Sequence, residues 1–106
     1  QRLGVTLGAK PETFYGLSGV GDLMLSCYSE QSRNMSYGMK LGRGEAFDNN
    51  APLTEGVYTA SSVMILAKKH QVEMPICAAV DAIVNQGADL DVTIKMLLSR
   101  PLRAEI

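Results

Sequence analysis

The stretch GVGDLMLSCYSEQSRN, residues 19–34, places a carboxylate, an arginine, an amide and several hydroxyls within a segment that otherwise reads as buried helix. On a helical wheel Asp22 shares its side with Ser18, Ser26 and Ser29, while Leu17, Val20, Leu23, Met24 and Cys27 fall on the other. The spacing predicts a helix over 18–27, with a polar stripe beside a core stripe and Ser18 as its N-cap. A carboxylate at the edge of such a core has to reach water or find a partner, because desolvating it uncompensated is costly. Arg33 is the nearest cation without an assigned role. A second helix opening near Ser29 or Ser32 brings Arg33 and Asn34 into a first turn, where orphan N–H groups and the helix dipole favour an anion. These residue types suit a small, polyhydroxylated phosphate ester, with Arg33 on phosphate and Asp22 and Asn34 on hydroxyls. The competing reading is a salt bridge between Asp22 and Arg33 that merely ties two helices together.

Outward from this stretch, glycine and proline punctuate a helical pattern. Arg2 to Leu7 is the end of a helix stopped by Gly8, and Pro11 to Tyr15 is a short helix ended by Gly16, with Phe14 as a core anchor. After the central stretch, a helix from Ser29 or Glu30 to Leu41 is closed by Gly42. Residues 43–53, RGEAFDNNAPL, form a loop and the segment expected to be most mobile. Thr54 opens a long helix to about His70, apolar almost all round, whose Lys68, Lys69 and His70 complement the dipole at its C-terminal turn. Pro75 starts a helix with Ile76, Ala79, Val80, Ile83 and Val84 inward, ended by Gly87. Asp89 or Asp91 caps a last helix that buries Leu90, Ile94, Leu97 and Leu98 and stops before Pro101. No run alternates apolar and polar residues between hairpin turns. The expectation is an all-α single domain of about six helices spanning 1–106.

Composition narrows the function classes. With 106 residues, 46% hydrophobic, 20% charged and a formal net charge of −1, the chain is an ordinary globular domain with no electrostatic reason to bind nucleic acid or an anionic membrane. No stretch approaches the ~20 apolar residues a membrane helix needs, and QRLGVTLGAK lacks the regions of a signal peptide, so the default expectation is cytoplasmic. Cys27 and Cys77 lie in apolar helical patterns outside any C-x-x-C or Cys/His cluster and are expected as buried free thiols. No Walker loop, no G-x-G-x-x-G after a strand and no metal-ligand spacing occurs, so no metal site is expected. The sequence opens without an initiator Met inside a helical pattern, which points to a fragment of a larger protein.

The run TFYGLSGVGDLMLSCYSEQSRNMSYGMKLGRGE, Thr13 to Glu45, resembles the signature of NAD(P)-dependent glycerol-3-phosphate dehydrogenase in its C-terminal, substrate-binding domain. Thr54-Glu55-Gly56-Val57 and Val72-Glu73-Met74-Pro75-Ile76 follow in the same order and at similar spacing. The resemblance implies a helical domain like the C-terminal domain of 6-phosphogluconate dehydrogenase, one half of a two-domain enzyme whose Rossmann half is absent from this chain. It implies that Asp22, Ser32, Arg33 and Asn34 contact glycerol 3-phosphate or dihydroxyacetone phosphate. Arg33, Leu53 and Glu55 would contribute to NAD or NADP. The family's catalytic lysine would lie upstream, since Lys10, Lys40, Lys68, Lys69 and Lys95 do not occupy its motif, leaving this fragment inactive alone. A cytoplasmic homodimer feeding glycerophospholipid synthesis is also implied. Two other functions share these features: the C-terminal domain of another hydroxyacid or sugar-phosphate dehydrogenase, and a helical dimerisation module. An uncovered apolar cleft wall would in addition make the isolated chain self-associate.

Overall fold

Positive-φ residues and caps set the helix ends, and they do so three times by the same device. In the computed structural model, which describes residues 1–28, 30–45 and 54–103, α1 spans Arg2–Thr6 and is closed by Gly8 at φ 97°. The Gly8 N–H donates to the Val5 carbonyl and the Ala9 N–H to the Gly4 carbonyl, a Schellman closure. The helix α4, Arg33–Gly42, ends likewise at Gly44 (φ 73°), with Gly44 bonded to Leu41 and Glu45 to Lys40. Gly42 therefore lies inside α4 and does not close it as the sequence suggested; the left-handed residue comes two positions later. The helix α5, Glu55–Lys69, closes in the same way around Gln71 at φ 55°, with His70 as the residue capping its end.

The remaining elements are α2 (Pro11–Tyr15), α3 (Asp22–Cys27), α6 (Pro75–Asn85) and α7 (Leu90–Leu98), making seven α-helices and no strand among the described residues. Pro11 and Pro75 occupy first turns, where their missing N–H costs nothing. Of the two candidate caps for α7, Asp89 is the one used: its Oδ1 accepts the Val92 N–H at 2.9 Å. The loop expected over 43–53 lies outside the described residues from 46 onward.

The main departure from the expected pattern precedes Asp22. Leu17–Gly21 is a π-helical turn, not the first turn of an α-helix, and the Gly21 N–H reaches five residues back to the Gly16 carbonyl at 3.2 Å. The cause is visible at Gly19, where a Cβ would collide with the Phe14 backbone, 2.6 Å from its carbonyl carbon and 2.7 Å from its Cα. Two backbones cross here with no room for a side chain, and the wide turn accommodates them. A wheel drawn at 3.6 residues per turn consequently misplaces Ser18 relative to Asp22, and Ser18 makes no cap.

The chain divides into two compact units, one over Leu3–Gly56 with Gln1 and the other over Val57–Ile106 with Arg2. Within the first, Phe14 lies half-buried with its ring against Gly4, where a Cβ would strike it, and Leu3 is buried. The stripe assigned to the core is instead exposed: Leu17 is 90% accessible, Leu23 62% and Met24 65%. Cys27 is exposed and Cys77 half-buried; both are free thiols as expected, but neither is fully buried. The amphipathic pattern was read correctly as a pattern, but no other described residue covers it.

Within the second unit, Ala60 and Ala67 are the buried positions of α5, whereas Tyr58 and Ile65 are open to solvent. Ile76 and Val80 of α6, and Ile94 and Leu98 of α7, are exposed as well, contrary to the inward pattern expected of them. A buried polar latch sits on α6. Asp81 accepts hydrogen bonds from Asn85 Nδ2 at 2.7 Å and Gln86 Nε2 at 3.3 Å, and Asn85 Nδ2 also donates to the Val57 carbonyl at 2.9 Å. Every oxygen of that carboxylate is thereby satisfied, as burial requires.

Two glycine substitutions test the backbone crossing in the full-length protein. Gly19→Ala should lower unfolding free energy by about 1–3 kcal/mol, because backbone and not a flexible side chain must move. Gly38→Ala, inside α4 with nothing within 4 Å of the added methyl, should raise it by about 0.5–1 kcal/mol. Urea unfolding of the two variants reads both signs.

Candidate functional site

The first turn of α4 positions the polar residues of the central stretch. Ser32 adopts an extended conformation (φ −66°, ψ 127°) and its Oγ accepts the Met35 N–H at 3.3 Å, so it is the N-cap. The helix consequently begins at Arg33, which with Asn34 carries the backbone N–H groups that an α-helix leaves without intrahelical partners. Arg33 and Asn34 are both exposed. No acidic residue occupies this first turn, so the positive end of the dipole and the guanidinium act in the same direction on an approaching anion. One turn further on, burial pushes the Tyr37 phenol above its ordinary value.

Asp22 begins α3, one residue after the π turn, with its side chain exposed. Among the described residues no ion pair or hydrogen bond joins it to Arg33, and the salt bridge of the competing reading is not formed. The structure does bring Asn34 and the Glu55–Gly56 turn together. The Gly56 N–H, in the first turn of α5, donates to Asn34 Oδ1 at 3.0 Å. A Cβ on Gly56 would lie 2.5 Å from that oxygen and 2.9 Å from Asn34 Cγ. Glu55, the neighbouring residue, is the exposed carboxylate at the start of α5. Leu53, the third expected cofactor contact, lies outside the described residues.

The Asn34 bond to Gly56 was missed by sequence reasoning, which assigned Asn34 only to a ligand. The available signal was a glycine at the second position of a long helix, where propensity disfavours it unless something must come close. Among the described residues no group of three or more His, Cys, Asp or Glu could hold a metal ion, and no helix is long and apolar enough to cross a membrane.

Residues 1–95 match the family model described as NAD-dependent glycerol-3-phosphate dehydrogenase C-terminus. The chain belongs to that family. It is 53% identical over 105 residues to glycerol-3-phosphate dehydrogenase [NAD(P)+] of Cereibacter sphaeroides, covering 99% of this chain and 34% of that protein. The enzyme of the same description from Parvibaculum lavamentivorans is 49% identical over 108 residues, covering 98% and 32%. The crystal structure of glycerol-3-phosphate dehydrogenase from Coxiella burnetii superposes with a TM-score of 0.82 at 38% identity, over 93% of this chain and 32% of that one. The chain thus spans about a third of the length of the curated relatives it matches, and both the resemblance and the all-helical C-terminal fold read from the sequence hold.

The cap generates a stability test. Ser32→Ala should destabilise the full-length protein by about 1 kcal/mol through loss of the Met35 bond, and Ser32→Asp, which keeps an acceptor there and suits the dipole, should not. Thermal or urea unfolding of the two variants distinguishes them.

Proposed function

We propose that this chain is the substrate-binding domain of an enzyme interconverting sn-glycerol 3-phosphate and dihydroxyacetone phosphate with NAD or NADP. The observation that carries the reading is the exposed Arg33 at the N-terminus of α4, unpaired with Asp22 among the described residues, in a chain of this family. A guanidinium offers a planar fork to two phosphate oxygens, and first-turn amides complete the cradle. Ser32 and Asn34 flank that position, and Asp22 supplies an acceptor for a substrate hydroxyl or for a catalytic ammonium. The catalytic lysine belongs to the part of the enzyme outside this chain, and the fragment alone is inactive.

The same residues suit a dinucleotide on the other side. Arg33 carries charge for its phosphates, and the Glu55 carboxylate accepts from ribose hydroxyls; Leu53 is assigned there by the resemblance. When bound, the nicotinamide supplies the acceptor for the hydride leaving C2 of glycerol 3-phosphate. The residues of this chain hold the phosphate end so that C2 is fixed in place, which converts binding into orientation. The proton released from the C2 hydroxyl passes to a base outside this chain.

The full protein is proposed to work as a cytoplasmic homodimer whose product feeds glycerophospholipid synthesis. The isolated chain is in addition proposed to self-associate through the run of exposed apolar side chains on its first unit, Leu17, Leu23, Met24, Leu25 and Tyr28, a surface that soluble monomers avoid displaying. Static light scattering of this chain over a concentration series should give a mass that rises above 11.4 kDa. A constant monomer mass at high concentration would argue against association through that surface.

Steady-state kinetics of the full-length enzyme test the substrate reading. Arg33→Ala should lower kcat/KM for glycerol 3-phosphate by about 10–100-fold, the loss of one charge-assisted contact. Arg33→Lys should recover part of it, because charge remains while the fork is lost. Unchanged kcat/KM in both variants would refute the reading.

A further inference from the structure

Among the described residues α5 is buried along one flank only. Its buried positions are Ala60 and Ala67, 8% and 1% accessible, whereas Met64 and Ile65 line a groove of about 710 Å³ that α5 shares with α6 and the 72–74 turn. Ile65 is 72% accessible there. A helix apolar on nearly all sides is one that packs on all sides, so α5 is built for a second neighbour that the described residues do not supply. That neighbour has to be apolar. Glu73 is engaged by Arg103 at 2.8 Å and Arg100 at 3.9 Å, and Asp81 by Asn85 and Gln86, so the acidic groups around the space are already satisfied. What remains is the wall of Met64, Ile65, Met74, Pro75 and Ala78.

The polypeptide enters the second unit at the edge of this groove. Arg2 belongs to the same compact unit as α5 and α6, its Nη2 donates to the Glu73 carbonyl at 3.2 Å, and Glu73 lines the groove. The helix that opens at Arg2 has neither a capping side chain nor a proline at its start, and its five residues are fewer than a helix needs to persist by itself. Proteins of the family extend much further. This chain matches their C-terminal part and spans 34% of the Cereibacter sphaeroides protein, so in a full-length enzyme the preceding polypeptide arrives at Gln1, one arginine side chain from the groove. Covering α5 from Ser61 to Lys68 takes about 10 Å of helix, or about two turns.

We propose that the segment directly before Gln1 is helical, runs on into the helix at Arg2, and lays an apolar face in the groove between α5 and α6. The inference uses the family membership and the geometry of the second unit, and it stands whether or not Arg33 receives a phosphate. Its consequence is that the upstream part of the enzyme is not joined here through a flexible linker. The upstream polypeptide completes the core of this unit, and the open side of α5 is an internal face of the whole protein.

Photo-crosslinking of the full-length enzyme reads the occupant directly. With p-benzoylphenylalanine in place of Ile65, irradiation should join position 65 to the same chain, within about three helical turns before Gln1. A crosslink to a second copy, seen as a doubled mass on a denaturing gel, would overturn the proposal, as would a crosslink elsewhere in the chain or none at all. If the bulk at position 65 prevents folding, the same group in place of Lys68, exposed at the edge of the groove, gives the same readout. Ile65→Asp supplies a second measurement. The melting temperature of the full-length enzyme should fall by at least about 5 °C, because the helix above would desolvate the new carboxylate. A change within about 2 °C, the response of an open surface position, would contradict the proposal.

Discussion

The hydrogen bond from the Met35 N–H to Ser32 Oγ decides where α4 begins, and most of the proposed chemistry depends on that starting point. Had the helix opened one turn earlier, at Ser29 or Glu30, Arg33 and Asn34 would be interior positions with their amides bound within the helix. Starting at Arg33 leaves those amides available, aligns the dipole with the guanidinium and sets Asn34 facing the backbone at Gly56. A single cap of modest strength thus controls which groups can meet an anion. Its net stabilisation, about 1 kcal/mol, is small beside the consequence of shifting the register of the site by a turn.

Close backbone approaches are the second constraint. Gly19 lies against the Phe14 main chain, Gly4 against the Phe14 ring and Gly56 against the Asn34 carboxamide. Each glycine sits in a helical segment where it lowers intrinsic helix stability by about 1 kcal/mol relative to alanine. The π turn at Leu17–Gly21 follows from the first of these contacts and delivers Asp22 to the head of α3 in an exposed position. Wide turns of this kind recur at functional sites in helical proteins, because they reorient one side chain without breaking the helix.

Much of this was legible in the sequence, and the parts that were not have identifiable reasons. The helices at Pro11–Tyr15 and Leu90–Leu98 could be read because a proline or a capping side chain marked each start, whereas the helix expected from Ser29 or Glu30 to Leu41 begins only at Arg33, because Ser32 takes the cap. Gln71 was harder, since a non-glycine residue took the left-handed position that closes α5. Exposure of Leu17, Leu23 and Met24 could not be read from periodicity, which reports that one face is apolar and not what lies against it. Asp81 and Asn85, four residues apart on α6, form a self-contained latch whose i, i+4 spacing was visible but lay outside the apolar pattern being traced. At the site, the residue types of Ser32, Arg33 and Asn34 were plain in the stretch itself, and the partner of Asn34 was not, because Gly56 lies twenty-two positions away.

The central claim is that Arg33 at the head of α4 receives the phosphate of a three-carbon phosphate ester. A crystal structure of the full-length enzyme with glycerol 3-phosphate bound tests it most directly. The account predicts a phosphate oxygen at about 2.7–2.9 Å from the Arg33 guanidinium, with the first-turn amides of α4 facing the same group. A phosphate bound elsewhere, with Arg33 turned onto the Asp22 carboxylate, would contradict it.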